Sequence, residues 1–254
     1  MMLDFSKYKK KFTEYANSFL NKDKKHDEDF ILKIIHSNNV KKNAEFIAIS
    51  NNFSYEDFFI AQICGQFHDV GRFLQYHEYQ TFKDTKTIKH GELGVKIIKE
   101  NRFFEDLDIS LQEIIYTAIY NHGLYSIEKY QTDKQLFFSK LTRDADKIDI
   151  FRLVSEYYNK TENRNIALEY NLEDIPEISK NVFNSFKDKE LIEKSELKTL
   201  NDFKLMQLSW IYDINFECSR KLIIEKEYLQ SILLSISDIY IKNIIKQMIT
   251  NLTI

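Results

Sequence analysis

Proline and glycine are scarce in this sequence, with one proline and five glycines among 254 residues. Hairpin turns draw heavily on glycine and proline, so their scarcity argues against a sheet built from hairpins. The strict alternation of apolar and polar residues that marks a half-buried strand is also missing. We therefore expect an all-α protein.

Cysteine is nearly absent as well, since the chain contains only Cys64 and Cys218. Two cysteines are too few for a disulfide framework, and these two lack the close spacing of a zinc knuckle. Apolar runs such as FFIAQIC are far shorter than the roughly 18 residues of a membrane-spanning helix, and the start MMLDFSKYKKK lacks the apolar core of a signal peptide. We expect a cytoplasmic protein without a membrane partner, with both thiols reduced and buried.

The charge balance gives no general attraction to nucleic acid. The formal net charge is −3 at pH 7, and nearby acidic residues balance the positive charge of the lysine runs at 9–11 and 22–25. Binding to a phosphate backbone depends on an excess of positive charge. A nucleic-acid polymer is therefore not an expected partner.

Apolar residues recur at helical spacing through most of the chain, which predicts seven helices. These cover residues 28–50, 55–68, 88–100, 111–122, 134–158, 195–212 and 229–252. Ser54, three residues before Asp57, has the spacing of a helix N-cap, and Ser110 before Glu113 has the same spacing.

No internal repeat or low-complexity linker divides the chain, and the segment NLEDIPEISK is interpreted as a loop. Residues 1–254 are therefore expected to form a single all-helical domain. The last predicted helix carries a wide apolar stripe, which would pack on the domain or, in a homo-oligomer, on a second copy.

Glycine clusters near histidine. All five glycines lie between residues 65 and 123, and each is within six residues of a histidine. Because glycine weakens a helix by about 1 kcal/mol relative to alanine, a helical protein keeps it where helices stop or where backbones approach closely. Gly71 is predicted to end the helix that carries His68 and Asp69, and Gly123 is predicted to end the helix that carries His122.

The acidic stretch LTRDADKIDIF contains three aspartates, and their angular positions around a helix predict which one points to the interior. At about 100° per residue, Asp144 falls within roughly 30° of the apolar face. That face is made by Phe137, Leu141, Ile148 and Phe151. Asp146 points the opposite way and Asp149 lies well off the face. A buried carboxylate without a partner is costly, so Asp144 is predicted to meet a cation.

A metal ion is the predicted cation, because two imidazoles and two carboxylates would meet in the interior. They belong to His36, His68, Asp69 and Asp144. This donor set suits a divalent ion that acidifies water, without distinguishing Mn, Fe, Co, Ni, Mg and Zn. One ion is expected. A second site would form from His90 and His122 if Asp69 bridges two ions.

This ordered set resembles the metal site of the HD superfamily. The resemblance rests on His36, on His68-Asp69 within HDVGRF and on Asp144 within RDADKID, while LSWIYDINF is similar to the C-terminal half of small stand-alone HD proteins. It implies a helical bundle of the HD-domain type, with a core over about 26–160 and additional C-terminal helices over about 161–254 packed on it. The implied activity is phosphohydrolysis by metal-activated water, with Asp69 as a catalytic residue and a small phosphorylated molecule, such as a nucleotide, as substrate.

The additional pair His90 and His122 matches the six-ligand version of the superfamily. That version occurs in some dinuclear phosphohydrolases and in a few diiron oxygenases, so a diiron oxygenase is one alternative function and a non-catalytic nucleotide sensor is another. The chain departs from the HD-GYP branch in two places. Gly123 stands where that branch has a second histidine, and Arg72 replaces a lysine, so cyclic di-GMP is not the expected substrate.

Four further residues are candidates for binding the substrate. Arg72 is predicted to be catalytic and to bind phosphate, because its planar guanidinium matches the geometry of phosphate oxygens. Lys147 lies one turn after Asp144, Lys89 precedes His90, and His77 is placed in a loop between helices. For these three residues, a solvated surface position is the alternative.

Overall fold

The computed structural model describes residues 3–20, 24–84, 89–128, 132–159, 169 and 172–250, with the side chains of 24–26 left out. Over these ranges the chain forms twelve α-helices and two short 3-10 helices, and one isolated bridge pairs Glu173 with Thr199. The expected all-α class is confirmed.

The N-terminal half holds seven of these helices. They are α1 (Phe5–Asn17), α2 (Lys24–Ser50), α3 (Tyr55–Phe67), α4 (Val70–Tyr79), α5 (His90–Glu100), α6 (Ile109–Asn121) and α7 (Asp133–Asn159). Five of them match predicted helices, whereas α1 and α4 were not predicted. The side chain of Ser54 accepts a hydrogen bond from the amide of Asp57, which confirms it as an N-cap. Ser110 is not a cap, because Asp108 precedes the first residue of α6.

The remaining helices are short, and two of them, over 180–187 and 217–225, were not predicted. They are α8 (Lys180–Lys187), α9 (Leu200–Ser209), α10 (Glu217–Glu225), α11 (Tyr228–Leu234) and α12 (Ile239–Thr250), with 3-10 turns at Lys194–Glu196 and Trp210–Asp213. The predicted helix over 229–252 is interrupted between α11 and α12, and its last two residues lie outside the described ranges.

The contacts divide the chain into two compact units, Met1–Asp149 and Ile150–Ile254. The boundary falls within the sequence of α7. A single domain, with its core over about 26–160 and an extension packed on it, stays a prediction. All six predicted metal ligands belong to the first unit.

Aromatic packing fixes the corner between α3 and α4 in the first unit. Phe67 at the end of α3 and Phe73 in α4 both meet Phe12 of α1 edge to face, at ring-centroid distances of 5.4 and 5.9 Å. All three rings are buried, and each aromatic pair adds about 0.5–1.5 kcal/mol beyond the burial of its area. The two residues between these helices, His68 and Asp69, are therefore held on a rigid corner.

In the second unit, the start of α9 is tied to the loop that precedes α8. Thr199 is the N-cap of α9 and forms a capping box with Asp202. The buried carboxylate of Asp202 also accepts hydrogen bonds from the amides of Ser179 and Lys198, at 2.7 and 2.9 Å. The described residues of NLEDIPEISK before Lys180 contain no helix, so the loop interpretation is confirmed there.

None of the helices in the described ranges combines the length and the apolarity needed to cross a bilayer.

The two cysteines differ in exposure. Neither forms a disulfide, Cys64 is fully buried in α3, and Cys218 in α10 is partly exposed. The expectation that both would be buried is therefore wrong for Cys218. Burial raises the pKa of the Cys64 thiol to about 12, which suppresses the reactive thiolate.

We predict that one thiol per folded chain reacts with an aromatic disulfide reagent at pH 8 and that two react after denaturation. The reason is that Cys64 is both inaccessible and protonated. Release of the coloured thiolate measures the count. The Cys218→Ser variant should show no prompt reaction when folded, and a prompt reaction from that variant would contradict the burial of Cys64.

Candidate metal centre

Four helices and one corner of the first unit direct polar side chains to one place. These residues are His36 of α2, His68 and Asp69 of the α3–α4 corner, His90 at the start of α5, His122 at the end of α6 and Asp146 of α7. The four histidines and Asp69 are buried, and the Asp146 side chain is 13% exposed. Two groups of three donors within this set lie close enough to share an ion.

The first group consists of His36, His68 and Asp146. Asp146 Oδ1 lies 3.1 Å from His36 Nε2 and 3.6 Å from His68 Nε2. The two imidazole Nε2 atoms are 3.1 Å apart. Within the described chain, Asp146 Oδ1 is buried and accepts no well-directed hydrogen bond. It is therefore a carboxylate oxygen that is positioned for a cation.

The choice of Asp144 is corrected by this geometry. Asp146 faces the histidines, and Asp144, about 200° away around the helix, is buried on the opposite side. The phase argument failed because residues 141–145 of α7 are all buried, so this helix has no single inward face. The apolar side of α7 meets one set of neighbours, and the side with Asp146 meets the histidines.

Asp69 lies between two pairs of histidines. Its Oδ2 is 3.7 Å from His36 Nε2 and 3.8 Å from His68 Nε2. Its Oδ1 is 3.5 Å from the Nε2 atoms of both His90 and His122. The two oxygens of this carboxylate therefore face different histidine pairs, which is the arrangement of a bridging ligand.

All four histidines are anchored through Nδ1. Each Nδ1 faces an acceptor: Asp149 Oδ2 at 2.7 Å from His36, Gly65 O at 2.9 Å from His68, Asp84 Oδ2 at 2.6 Å from His90, and Ile119 O at 2.6 Å from His122. A carbonyl or ionised carboxylate accepts, so Nδ1 carries the hydrogen. Such contacts fix the tautomer and orient the rings of metal-binding histidines. Each ring therefore points its Nε2 towards the centre.

The Nε2 atoms of His90 and His122 face each other, and neither atom carries a hydrogen. Burial lowers the pKa of His90 to about 4 and also lowers the pKa of His122, so both rings are neutral at pH 7. With the hydrogens on Nδ1, two lone pairs meet at an Nε2–Nε2 distance of 2.9 Å. Two acceptors at that distance repel unless a cation lies beside them. The donor set, imidazole with carboxylate, fits a divalent transition metal or Mn²⁺.

His36 differs from the other histidines because a carboxylate lies close to each of its ring nitrogens, Asp149 at 2.7 Å from Nδ1 and Asp146 at 3.1 Å from Nε2. Burial by itself lowers its pKa, but Asp146 and Asp149 raise it to about 9. The metal-free protein therefore carries a proton on the His36 Nε2 at neutral pH. That proton occupies a position where a metal ion would need a lone pair.

Two cations adjoin Asp69. Lys33 Nζ lies 2.6 Å from Oδ2, and Arg72 Nε lies 3.4 Å from Oδ1. Burial raises the pKa of Asp69, but the cations Lys33 and Arg72 and the neighbouring histidines outweigh it and keep the pKa well below its usual range. Asp69 is therefore an ionised carboxylate in a buried position.

Gly71 and Gly123 make room for His90. Gly71 lies inside α4, where an added Cβ would come within 2.2 Å of the His90 carbonyl oxygen. A Cβ at Gly123 would lie 2.4 Å from His90 Cε1. Neither glycine has a positive φ, so close approach explains both residues. The prediction that Gly71 ends a helix is wrong, whereas Gly123 does directly follow the C-cap of α6.

The four predicted substrate-binding residues lie in different surroundings. Arg72 Nη1 donates to Gln75 Oε1, to the Phe82 carbonyl and to Asp84 Oδ1. Lys147 is buried in α7, and Lys89 is exposed immediately before α5. His77 is exposed in the last turn of α4, so its placement in a loop is wrong. Substrate contacts by these residues stay predictions.

The sequence interpretation missed three residues that adjoin the donors. Lys33 is one turn before His36, and Asp149 is one turn after Asp146, so both share a helix face with a donor. Asp84 orients His90 from the segment between α4 and α5. Its ionisation follows from two neighbours: although burial raises its pKa, His90 and Arg72 lower it to about 2. Helical spacing could have indicated Lys33 and Asp149, whereas no local pattern marks Asp84.

Comparison with known families agrees with this geometry. Residues 34–150 match the HD domain family, and this match indicates the superfamily of metal-dependent hydrolases. The predicted resemblance is confirmed. No curated protein and no solved structure matches the chain.

We predict that Gly123→Ala lowers the free energy of unfolding by about 1–3 kcal/mol, because the new methyl group would overlap the His90 ring. Gly94→Ala is the matched control. Its Cβ would meet its nearest neighbours at 3.4 Å, and alanine favours helix α5. Urea unfolding measures both variants. Equal destabilisation by the two changes would contradict the proposed contact.

We predict that the metal-free protein loses stability as pH rises from about 6.5 to about 9, because the folded state raises the pKa of His36 from its ordinary value to about 9. The contribution of protonated His36 is complete below pH 6.5 and is lost on passing pH 9. The lowered pKa values of His90 and His122 affect stability only below about pH 6.5, so they do not contribute to the loss of stability at higher pH.

Chelator-treated wild type and His36→Gln should be unfolded with urea at pH 6.5 and 9.5. The stability advantage of wild type should shrink at the higher pH. An advantage that stays constant or grows would contradict the raised pKa.

Proposed function

We propose that the protein is a metal-dependent phosphohydrolase that cleaves a phosphoester or phosphoanhydride bond of a small molecule. The observation that carries this proposal is the position of Asp69, whose two oxygens face separate pairs of histidine Nε2 atoms. The match of residues 34–150 to the HD domain family, which indicates a superfamily of metal-dependent hydrolases, supports the same reaction class. Nucleotides are the proposed substrates.

The proposed dinuclear centre has one donor group on each side of Asp69. His36, His68 and Asp146 would hold one ion, and His90 and His122 would hold the other. Divalent ions in such a centre supply Lewis acidity and an acidified water for attack on phosphorus. Their identity is left to experiment, because Mn, Fe, Co, Ni, Mg and Zn all accept mixed nitrogen and oxygen donors.

The protein residues have three tasks in this proposal. The Nδ1 hydrogen bonds orient each imidazole so that Nε2 faces the centre, where it offers a lone pair once His36 has lost its Nε2 proton. Burial of the donors excludes bulk water, which strengthens every charge interaction at the centre. Arg72 joins Asp69 to Asp84 and so positions the partner of His90. Its predicted contact with substrate phosphate is kept as part of the proposal.

The same six donors would also serve a diiron oxygenase or a nucleotide sensor. The test must therefore separate hydrolysis from oxygen consumption and from binding without turnover. Iron-loaded protein that consumes O₂ and releases no phosphate would favour the oxygenase. Nucleotide binding without turnover under every metal would favour the sensor.

We predict metal-dependent phosphate release by chelator-treated protein after addition of Mn²⁺, Co²⁺, Ni²⁺ or Mg²⁺. A panel of nucleotides and one aryl phosphate ester should be assayed by phosphate release. Asp69→Asn and Asp146→Asn should reduce turnover by more than about 100-fold, because each removes a charged donor.

Asp144→Asn is the matched control, since Asp144 is a fully buried aspartate on the same helix that points elsewhere. Circular dichroism should show that all variants are folded. Absence of phosphate release with every ion would contradict the proposed activity. Equal loss of activity by folded Asp144→Asn would contradict the assignment of Asp146.

A further inference from the structure

Lys33 is placed at the mouth of the centre by its position in α2. It precedes His36 by three residues, so the two side chains leave the same face of the helix. Its Nζ is 2.6 Å from Asp69 Oδ2, the oxygen that faces His36 and His68. The Lys33 side chain is 21% exposed, whereas that of Asp69 is 5% exposed. The ammonium group therefore lies between the buried carboxylate and solvent.

The ammonium group of Lys33 uses only one of its hydrogen-bond donors within the described residues. An ammonium group has three N–H donors. Among the described residues, one of these donates to Asp69, and Nζ also lies over the ring of Phe82, 5.2 Å from the centroid. Phe82 itself is held by stacking on Tyr76, with centroids 4.5 Å apart. The other two N–H donors of Lys33 therefore face solvent or groups that accept no hydrogen bond.

Arg72, the other cation beside Asp69, is bonded differently. Its Nη1 donates to three protein acceptors, those of Gln75, Phe82 and Asp84. A guanidinium held in this way supports the fold around His90. Arg72 Nε also lacks a hydrogen-bond partner among the described residues, but it is buried, whereas the side chain of Lys33 is the more exposed of the two, 21% against 15%.

We infer that Lys33 is an exchangeable counter-ion of Asp69: it neutralises this carboxylate in the metal-free protein and binds an anionic oxygen of the substrate when the centre is loaded. A divalent cation at Asp69 would repel the ammonium group and would compete with it for Oδ2. The flexible four-carbon stem of lysine allows its charge to move towards the exposed side. This role rests on the proposed function, and its ligand is a phosphate-class anion.

Two binding measurements test the inference, and neither requires turnover. Mn²⁺ is first titrated into chelator-treated protein. Orthophosphate is then titrated into the Mn²⁺-loaded protein. Wild type is compared with Lys33→Gln, which removes the charge but keeps a polar side chain, and with Lys33→Arg, which keeps the charge. Lys134→Gln is the control, because Lys134 pairs with Glu56 and Asp57 instead.

Lys33→Gln should bind Mn²⁺ about 3- to 10-fold more tightly than wild type, because a competing positive charge is gone. The same variant should bind orthophosphate about tenfold more weakly, since a charge-assisted hydrogen bond is lost. Lys33→Arg should stay within about threefold of wild type in phosphate affinity. Lys134→Gln should change neither value.

Unchanged or weaker Mn²⁺ binding by folded Lys33→Gln would overturn the inference, as would unchanged phosphate affinity. Failure of Lys33→Gln to fold would show a structural ion pair and would overturn it too. If wild type hydrolyses no phosphate compound but both affinities shift as expected, the proposed function fails and the role of Lys33 stands. If wild type is active and the affinities do not shift, the role of Lys33 alone fails.

Discussion

The buried negative charge of Asp69 is the constraint on which the rest of the centre depends. An ionised carboxylate that is 5% exposed is costly unless positive or hydrogen-donating groups surround it. In the metal-free protein Lys33 and Arg72 meet this need. The surrounding histidine Nε2 atoms lie 3.5–3.8 Å away and leave a space that is lined by donors. Metal binding would replace one set of compensating charges by another.

Each histidine is held by a hydrogen bond at Nδ1, and this bond turns its Nε2 atom towards Asp69 and the other donors. Two of the anchors are backbone carbonyls one turn earlier, Gly65 for His68 and Ile119 for His122. The other two are the carboxylates of Asp149 and Asp84. The centre is therefore built partly by helix ends, which are local, and partly by long-range contacts. Close backbone approaches at the glycines then bring α5 against its neighbours.

The sequence predicted the helical class and five of the six central donors, because His36, His68, Asp69, His90 and His122 carry the pattern in their order and helix positions. It failed on Asp146 for a physical reason. Hydrophobic phase identifies an inward face only for a helix with one exposed side, and the middle of α7 is buried all round. The contact of Asp84 with His90 and the continuation of α4 through Gly71 depend on tertiary contacts, which local sequence patterns do not contain.

The role of Asp69 as a bridge between two donor groups is tested most directly by anomalous diffraction at the manganese edge from crystals grown with Mn²⁺. Two anomalous peaks are predicted, one beside His36, His68 and Asp146 and one beside His90 and His122, with Asp69 between them. A single peak away from Asp69, a peak at Asp144, or no peak among these residues would contradict the dinuclear centre.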